Sequence, residues 1–404
     1  MSGRRQVELV KEPLDRKKRG GSIGEWLRSK LALQSTRSTQ TDKGDTVQVR
    51  PWRLLQVESA FACNLRCVMC PWPEYARRAE NRGLMSPEIW KALQPFLHQV
   101  RSVDFTGGGE PLLQPQLVQW VAEAHAAGCE TGLLSNGFLL SEAKSRELMR
   151  AGIDWVCISM DGADRQIYEQ LRIGSDFERV CRNVSELAGM RSGSIPKLMI
   201  NFVMMHANVH QVEGIVRLAD RLGVDQVNFK QCDVIRAERG KGLGLFDREA
   251  NRSIRQLAQR VAAARKLARK MGIDTTATPF TPEEQPVCDQ DPRDSMFVRY
   301  DGSAAPCINL AVGGPTTFLG NEALFPQVHY GNVLQQDLQQ LWDTQTCRLY
   351  RERFQRRVQS LDGNLLEGLI GQSSFDRLTY LQKAKKKMPA PPAGCEVCHY
   401  LYDL

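Results

Sequence analysis

Three cysteines crowd into eight residues, Cys63-Asn-Leu-Arg-Cys67-Val-Met-Cys70. Three thiolates on one short loop can hold three irons of a [4Fe-4S] cube, because cysteine sulfur is the soft ligand that such clusters take. No fourth cysteine is near in sequence, so one iron is left open to bind something else. A second set lies far downstream: Cys288, Cys307 and a closing Cys395-Glu-Val-Cys398. These four can complete another cluster, and the same residues could form a structural zinc site instead. The chain has 12 cysteines in 404 residues and no apolar segment of the kind an export signal carries, so metal or redox chemistry explains the count better than a disulfide framework. Cys129, Cys157 and Cys181 fall in apolar runs and read as small buried hydrophobes.

Elements that could position these residues follow from the hydrophobic pattern. Strand-like runs at 53–59, 100–106, 131–135, 155–159, 197–204 and 226–230 alternate with helical periodicity at about 86–98, 115–127, 141–151, 176–191 and 208–222. Ser86-Pro87 and Ser141 suit helix starts, and Gly128, Gly152 and Gly223 suit helix ends. Strand–helix repetition predicts an α/β fold with a parallel sheet and right-handed crossovers, either a partial (β/α)6 barrel or an open doubly wound sheet. In both, functional groups gather at the C-terminal ends of the strands. The cysteine loop follows the first strand, and polar groups accumulate after the others: Thr106-Gly-Gly-Gly-Glu110, Ser135-Asn136, Ser159-Met-Asp161, Asn201 and Cys232-Asp233. The glycine run would let a ligand approach the backbone closely, with Glu110 accepting from an ammonium group. Asp233 could serve as a general base, and Cys232 as a hydrogen-atom donor to a substrate radical.

From about residue 54 to 232 the chain resembles the radical S-adenosylmethionine (SAM) enzymes in motif, order and spacing. The resemblance implies that Cys63, Cys67 and Cys70 carry a [4Fe-4S] cluster whose open iron is chelated by SAM. It implies that Gly108, Gly109 and Glu110 hold the methionine amine. Ser135, Asn136, Ser159 and Asp161 would face the methionine carboxylate and ribose, with Arg172 pairing with that carboxylate. The expected chemistry is one-electron cleavage of SAM to methionine and a 5′-deoxyadenosyl radical that takes a hydrogen atom from the substrate. Downstream, C-x13-G-x4-C (Cys288, Gly302, Cys307) followed by Cys395 and Cys398 is similar to the twitch form of the SPASM auxiliary-cluster domain. That implies one auxiliary [4Fe-4S] cluster, with Cys347 the only further cysteine in the region. The domains expected are therefore a basic leader at 1–50, a barrel at 51–275 and a small Cys-rich auxiliary-cluster domain at 276–404.

Composition is ordinary for a globular protein, with 42% hydrophobic and 25% charged residues. No run of 18 apolar residues is present, so a membrane partner is not expected and a cytoplasmic location is. Of the net charge of +8, residues 1–50 supply 12 Lys/Arg against 6 Asp/Glu, and the rest of the chain is nearly balanced. The resulting expectation is an iron–sulfur oxidoreductase that dehydrogenates a sugar-like or cyclitol molecule or modifies a ribosomal peptide. The auxiliary cluster would accept the electron, and flavodoxin or ferredoxin would supply the reducing one. Two alternatives stand beside it: an epimerase using Cys232, and a zinc-binding protein that contacts nucleic acid through the basic leader.

Overall fold

A computed structural model describes residues 50–76, 83–232, 236, 240–245, 251–369 and 383–404. The first six strands fall where the pattern predicts: β1 (Trp52–Val57), β2 (Val100–Asp104), β3 (Glu130–Ser135), β4 (Trp155–Ser159), β5 (Lys197–Met204) and β6 (Gln226–Gln231). They pair parallel in chain order. After the helix Asn251–Met271, β7 (Asp274–Ala277) adds parallel to β6, so the sheet runs through the boundary expected at 275. The strand order is linear, with no pairing between its two ends, which is a partial barrel.

Local chemistry explains the helices between strands. Ser141, Asp164 and Asp176 each accept a backbone N–H from the first turn of the helix they begin. Gly223 ends the helix Val212–Leu222 at φ +71°, a left-handed position that glycine occupies without strain. The helix Arg165–Leu171 was not expected from periodicity; its seven residues are too few to show one.

Side chains alternate sharply along the strands. In β5, Leu198, Ile200, Phe202 and Met204 are 0–1% exposed, while Lys197, Met199, Asn201 and Val203 are half-buried. Val57, Val103, Leu133, Val156, Val227 and Phe229 continue the buried set under the helices. Each such side chain contributes about 1.5–3 kcal/mol by leaving water. The core therefore lies between sheet and helices, leaving the other face of the sheet to line a lumen.

The Cys-rich segment is built onto this sheet. β8 (Ser295–Val298) pairs parallel with the free edge of β1, β9 (Ser303–Ala305) turns back antiparallel, and β12 (Gly331–Asn332) pairs with β9. A separate hairpin, β10 (Gly314–Phe318) with β11 (Asn321–Phe325), projects from it. The first cysteine loop follows β1, and Cys288 and Cys307 flank the β8–β9 pair that extends the same ten-stranded sheet.

Candidate functional site

The cysteine loop leaves β1 and is clamped from two sides. Arg66 and Val68 donate their N–H groups to Ile173 and Leu171 at 2.9 Å, and Glu110 donates its N–H to the Ala62 carbonyl at 2.8 Å. Cys67 is buried, Cys70 half-buried and Cys63 exposed. Burial raises the Cys63 thiol to about 11 and that of Cys70 to about 12, each raised further by its neighbouring cysteines. N–H donors nevertheless face the sulfurs: Leu65 N at 3.4 Å and Asn136 Nδ2 at 3.8 Å from Cys63, and Arg172 Nη1 at 3.8 Å from Cys67. Thiolate ligands of a cluster would accept these N–H groups.

The glycines pack closely against the cysteine loop. A Cβ at Gly109 would lie 2.2 Å from the Ala62 carbonyl oxygen, at Gly108 2.5 Å from the Phe61 ring, and at Gly107 2.4 Å from Glu58 Cγ. Their missing side chains let the cysteine loop lie directly on the end of β2, so the close approach is made by the chain itself. Glu110 is 1% exposed and accepts from Leu112 N (3.1 Å), Ser135 Oγ (2.7 Å) and Asn136 N (2.8 Å). It ties the ends of β2 and β3 together. Asn136 continues the tie to Asn64 Oδ1 at 2.9 Å.

Asp161, fully buried, pairs with Arg172 at 2.6 Å and accepts from Val203 N at 2.7 Å. Arg172, for which a ligand carboxylate is the expected partner, thus also pairs with a carboxylate of the chain itself. Ser159 is half-buried one strand from Asn201, in register with it. Asp233 lies outside the described residues. Cys232 is buried with Leu171 and Met205 and packs against Val68 and Met69 of the cysteine loop.

Inside the lumen the sequence reading missed a second set. Cys157 of β4 hydrogen-bonds Asn228 of β6 and is coupled to Asp104 of β2 and Lys230 of β6. Side chains from β2, β4 and β6 meet only on the concave face, so these groups line one space. Asn228 also donates to Asn201 Oδ1 at 2.9 Å and accepts from Thr276 Oγ1 at 2.7 Å. Asp104 accepts from Thr106 Oγ1, and burial raises its carboxyl to about 7. Among the described residues no cation pairs with Asp104. A barrel interior is ordinarily filled by branched aliphatic layers; this polar lining suits a hydrogen-bonding ligand. The alternation that separates this face was visible in sequence, but not which face closes on itself. Cys157 is buried, and burial raises its thiol to about 12, yet it has polar neighbours in Asn228 and Asn201.

The downstream cysteines converge as a set. Cys395 feels Cys307, Cys288 and Cys398, and Cys288 feels Cys307. Cys347 is fully buried and hydrogen-bonds Arg351 and Tyr330. Gly302 at φ +83° has no room for a Cβ, which would lie 2.8 Å from Asn332 Oδ1. Arg357, 1% exposed and missed in the sequence, donates to Pro286 O (3.0 Å), Gln285 O (2.8 Å), Glu284 Oε1 (2.7 Å) and Pro389 O. It fastens the segments leading to Cys288 and Cys395. Among the described residues no three His, Cys, Asp or Glu side chains converge on a single ion. A cube takes each thiolate on a different iron.

Comparison with known proteins agrees with this arrangement. Residues 57–219 match the model of the radical SAM superfamily, and residues 288–362 match that of the SPASM iron–sulfur cluster-binding domain. A probable GTP 3′,8-cyclase of Sulfurisphaera tokodaii is 29% identical over 178 residues, covering 43% of this chain and 54% of that protein. The chain thus spans about half the length of that relative. A tungsten-containing aldehyde ferredoxin oxidoreductase cofactor-modifying protein of Pyrococcus furiosus is 23% identical over 308 residues, covering 74% and 83%. Two solved structures share the fold at 16% identity. Streptococcus suis SuiB bound to S-adenosylmethionine has a TM-score of 0.56 over 75% of this chain and 68% of that one; anSMEcpe with bound AdoMet has 0.57 over 87% and 94%. The sequence resemblance and the partial barrel therefore lead to one assignment: the chain is an enzyme of the radical SAM superfamily, with a SPASM iron–sulfur domain joined to its barrel.

Proposed function

We propose that this enzyme oxidises a polar substrate in the barrel lumen, with one cysteine set serving radical generation and the other electron removal. Membership in the superfamily brings [4Fe-4S] clusters and S-adenosylmethionine as cofactors. Bound together, they supply a 5′-deoxyadenosyl radical that removes a hydrogen atom from a substrate C–H bond. In this reading Cys63, Cys67 and Cys70 hold the cluster that meets SAM, and Cys288, Cys307, Cys395 and Cys398 hold the auxiliary one. Gly108, Gly109, Glu110, Ser135, Asn136, Ser159, Asp161 and Arg172 form the rim where SAM rests. Glu110 and the Asp161–Arg172 pair chiefly fix the shape of that rim. Asp104 takes a proton from the substrate hydroxyl or amine, a role first assigned to Asp233. Residues 1–50, 51–275 and 276–404 remain the proposed leader, barrel and auxiliary domain.

The observation that carries the reading is the pairing of two separate cysteine sets with a lumen lined by Asp104, Asn201, Asn228 and Lys230. That lining favours a small substrate rich in hydroxyl or amine groups, such as a sugar or cyclitol. Peptide modification is the second reading, supported by the shared fold with SuiB, which has been solved with its precursor peptide SuiA (TM-score 0.55, 15% identity). An epimerase would draw its hydrogen atom from Cys157 more readily than from Cys232, since Cys157 belongs to the lumen set. Among the described residues no helix is long and apolar enough to cross a membrane. A cytoplasmic enzyme reduced by flavodoxin or ferredoxin fits this reading.

Iron and zinc analysis after anaerobic reconstitution tests it. The wild-type chain should hold about eight irons and a Cys63/Cys67/Cys70→Ala variant about four. Four in the wild type and none in the variant removes the auxiliary cluster from the reading, and zinc without iron removes the radical mechanism.

A further inference from the structure

Arg236 has an environment that the proposed function does not use. Its guanidinium carbon lies 4.8 Å from the Trp72 ring, 5.8 Å from that of Tyr75 and 5.3 Å from that of Phe325. It donates to Gly313 O and, at 3.3 Å, to Asn309 O, carbonyls of the short helix Ile308–Val312 and its cap. Cys307 begins that helix. The Arg236 charge acts on the sulfurs of Cys307 and Cys398, and Tyr75 is its hydrogen-bond partner on the other side. Trp72 and Tyr75 directly follow Cys70 in sequence. One cation therefore touches both the segment after the barrel cysteines and the short helix that Cys307 begins.

Among the described residues no carboxylate lies within ion-pair distance of Arg236, and its buried Nε finds no hydrogen-bond partner. A charge withdrawn from water among aromatic rings costs several kcal/mol unless a counter-charge compensates it. Helix carbonyls and ring faces offset part of that cost. Among the described residues, four thiolates around a cluster are the negative charge placed to compensate it.

We infer that Arg236 is the counter-cation of the auxiliary cysteine site and couples that site to the cysteine loop of the barrel. This rests on the reading of Cys288, Cys307, Cys395 and Cys398 as cluster ligands. A fixed positive charge next to a cluster stabilises the form carrying one more electron, because net charge and hydrogen bonds set the potential. Arg236 is thus a positioning residue whose charge makes the auxiliary site a better electron acceptor.

The Cys63/Cys67/Cys70→Ala variant isolates the auxiliary signal, and its potential can be read by an EPR-monitored redox titration. Adding Arg236→Gln should move that potential lower with the irons retained, whereas Arg236→Lys, which keeps the charge, should stay near the parent. Loss of iron in Gln alone, with Lys retaining it, also supports the inference. An unmoved potential in Gln with full iron overturns it, as does an equal shift or equal iron loss in Gln and Lys, which would mark a packing role. Absence of iron in the parent variant defeats the cluster reading instead. The inference is then decided by the rate at which Cys307 and Cys398 react with iodoacetamide. Slower reaction in Gln than in Lys supports it, and equal rates overturn it.

Discussion

A carboxyl with one hydroxyl donor and no cation keeps its proton to a higher pH than a solvated one, and Asp104 is such a group. Its folded value near 7 lies above the ordinary 3.8, because burial penalises the carboxylate. The sign follows: the protonated form is tolerated, so its contribution to stability is fully present below about pH 4 and is lost as pH rises through about 7. Asp104→Asn, neutral throughout, should therefore melt higher than wild type at pH 8, by roughly 1–3 kcal/mol, and alike at pH 4. Thermal melts at the two pH values check this, and an equal difference at both would mean that Asp104 is not titrating. Glu58, raised to about 7 by burial, adds a similar loss to both proteins and cancels from the comparison. Nothing in the sequence singled out Asp104, which falls within the strand-like run 100–106. Its importance depends on Cys157 and Lys230, contributed by strands far away in the chain.

At the scale of elements, the glycine run and the cysteine loop form one packed unit. Backbone atoms of Ala60, Phe61 and Ala62 occupy the space where a Gly109 side chain would stand, and backbone cannot move aside as a side-chain tip can. Gly109→Ala should displace the cysteine loop and cost about 2–4 kcal/mol. Iron should fall from about eight to about four per chain, because the auxiliary set does not rest on this contact. Retention of all eight would show that the loop accommodates the methyl group. The glycines were legible as a motif, but their packing against the cysteine loop was not. Only the packed structure shows that the close neighbour is the preceding loop.

For the molecule as a whole, the auxiliary segment is an extension of the barrel sheet, through the parallel pairing of β8 with β1. The segment after the barrel cysteines and the helix that Cys307 begins both come within reach of Arg236. Cys347 belongs to this region yet faces Tyr330 and Arg351, so Cys347→Ala should leave the iron count at about eight while lowering stability by about 1–2 kcal/mol. Loss of about four irons would place Cys347 among the ligands.

The sequence alone determined the cysteine spacings, the six strands and their order, and hence the superfamily, because clustered ligands and hydrophobic period are local properties. It also showed which residues stand at strand ends. Tertiary structure alone decided what those residues touch. It paired Asp161 with Arg172, tied Glu110 to Ser135 and Asn136, buried Cys232 against the cysteine loop, and turned Asp104, Cys157 and Lys230 toward one another across the lumen. The physical reason is range: a thiol spacing or a strand period is written within ten residues. A lumen or a counter-charge is made by side chains that sequence separates by tens to hundreds and that only sheet curvature and packing bring together.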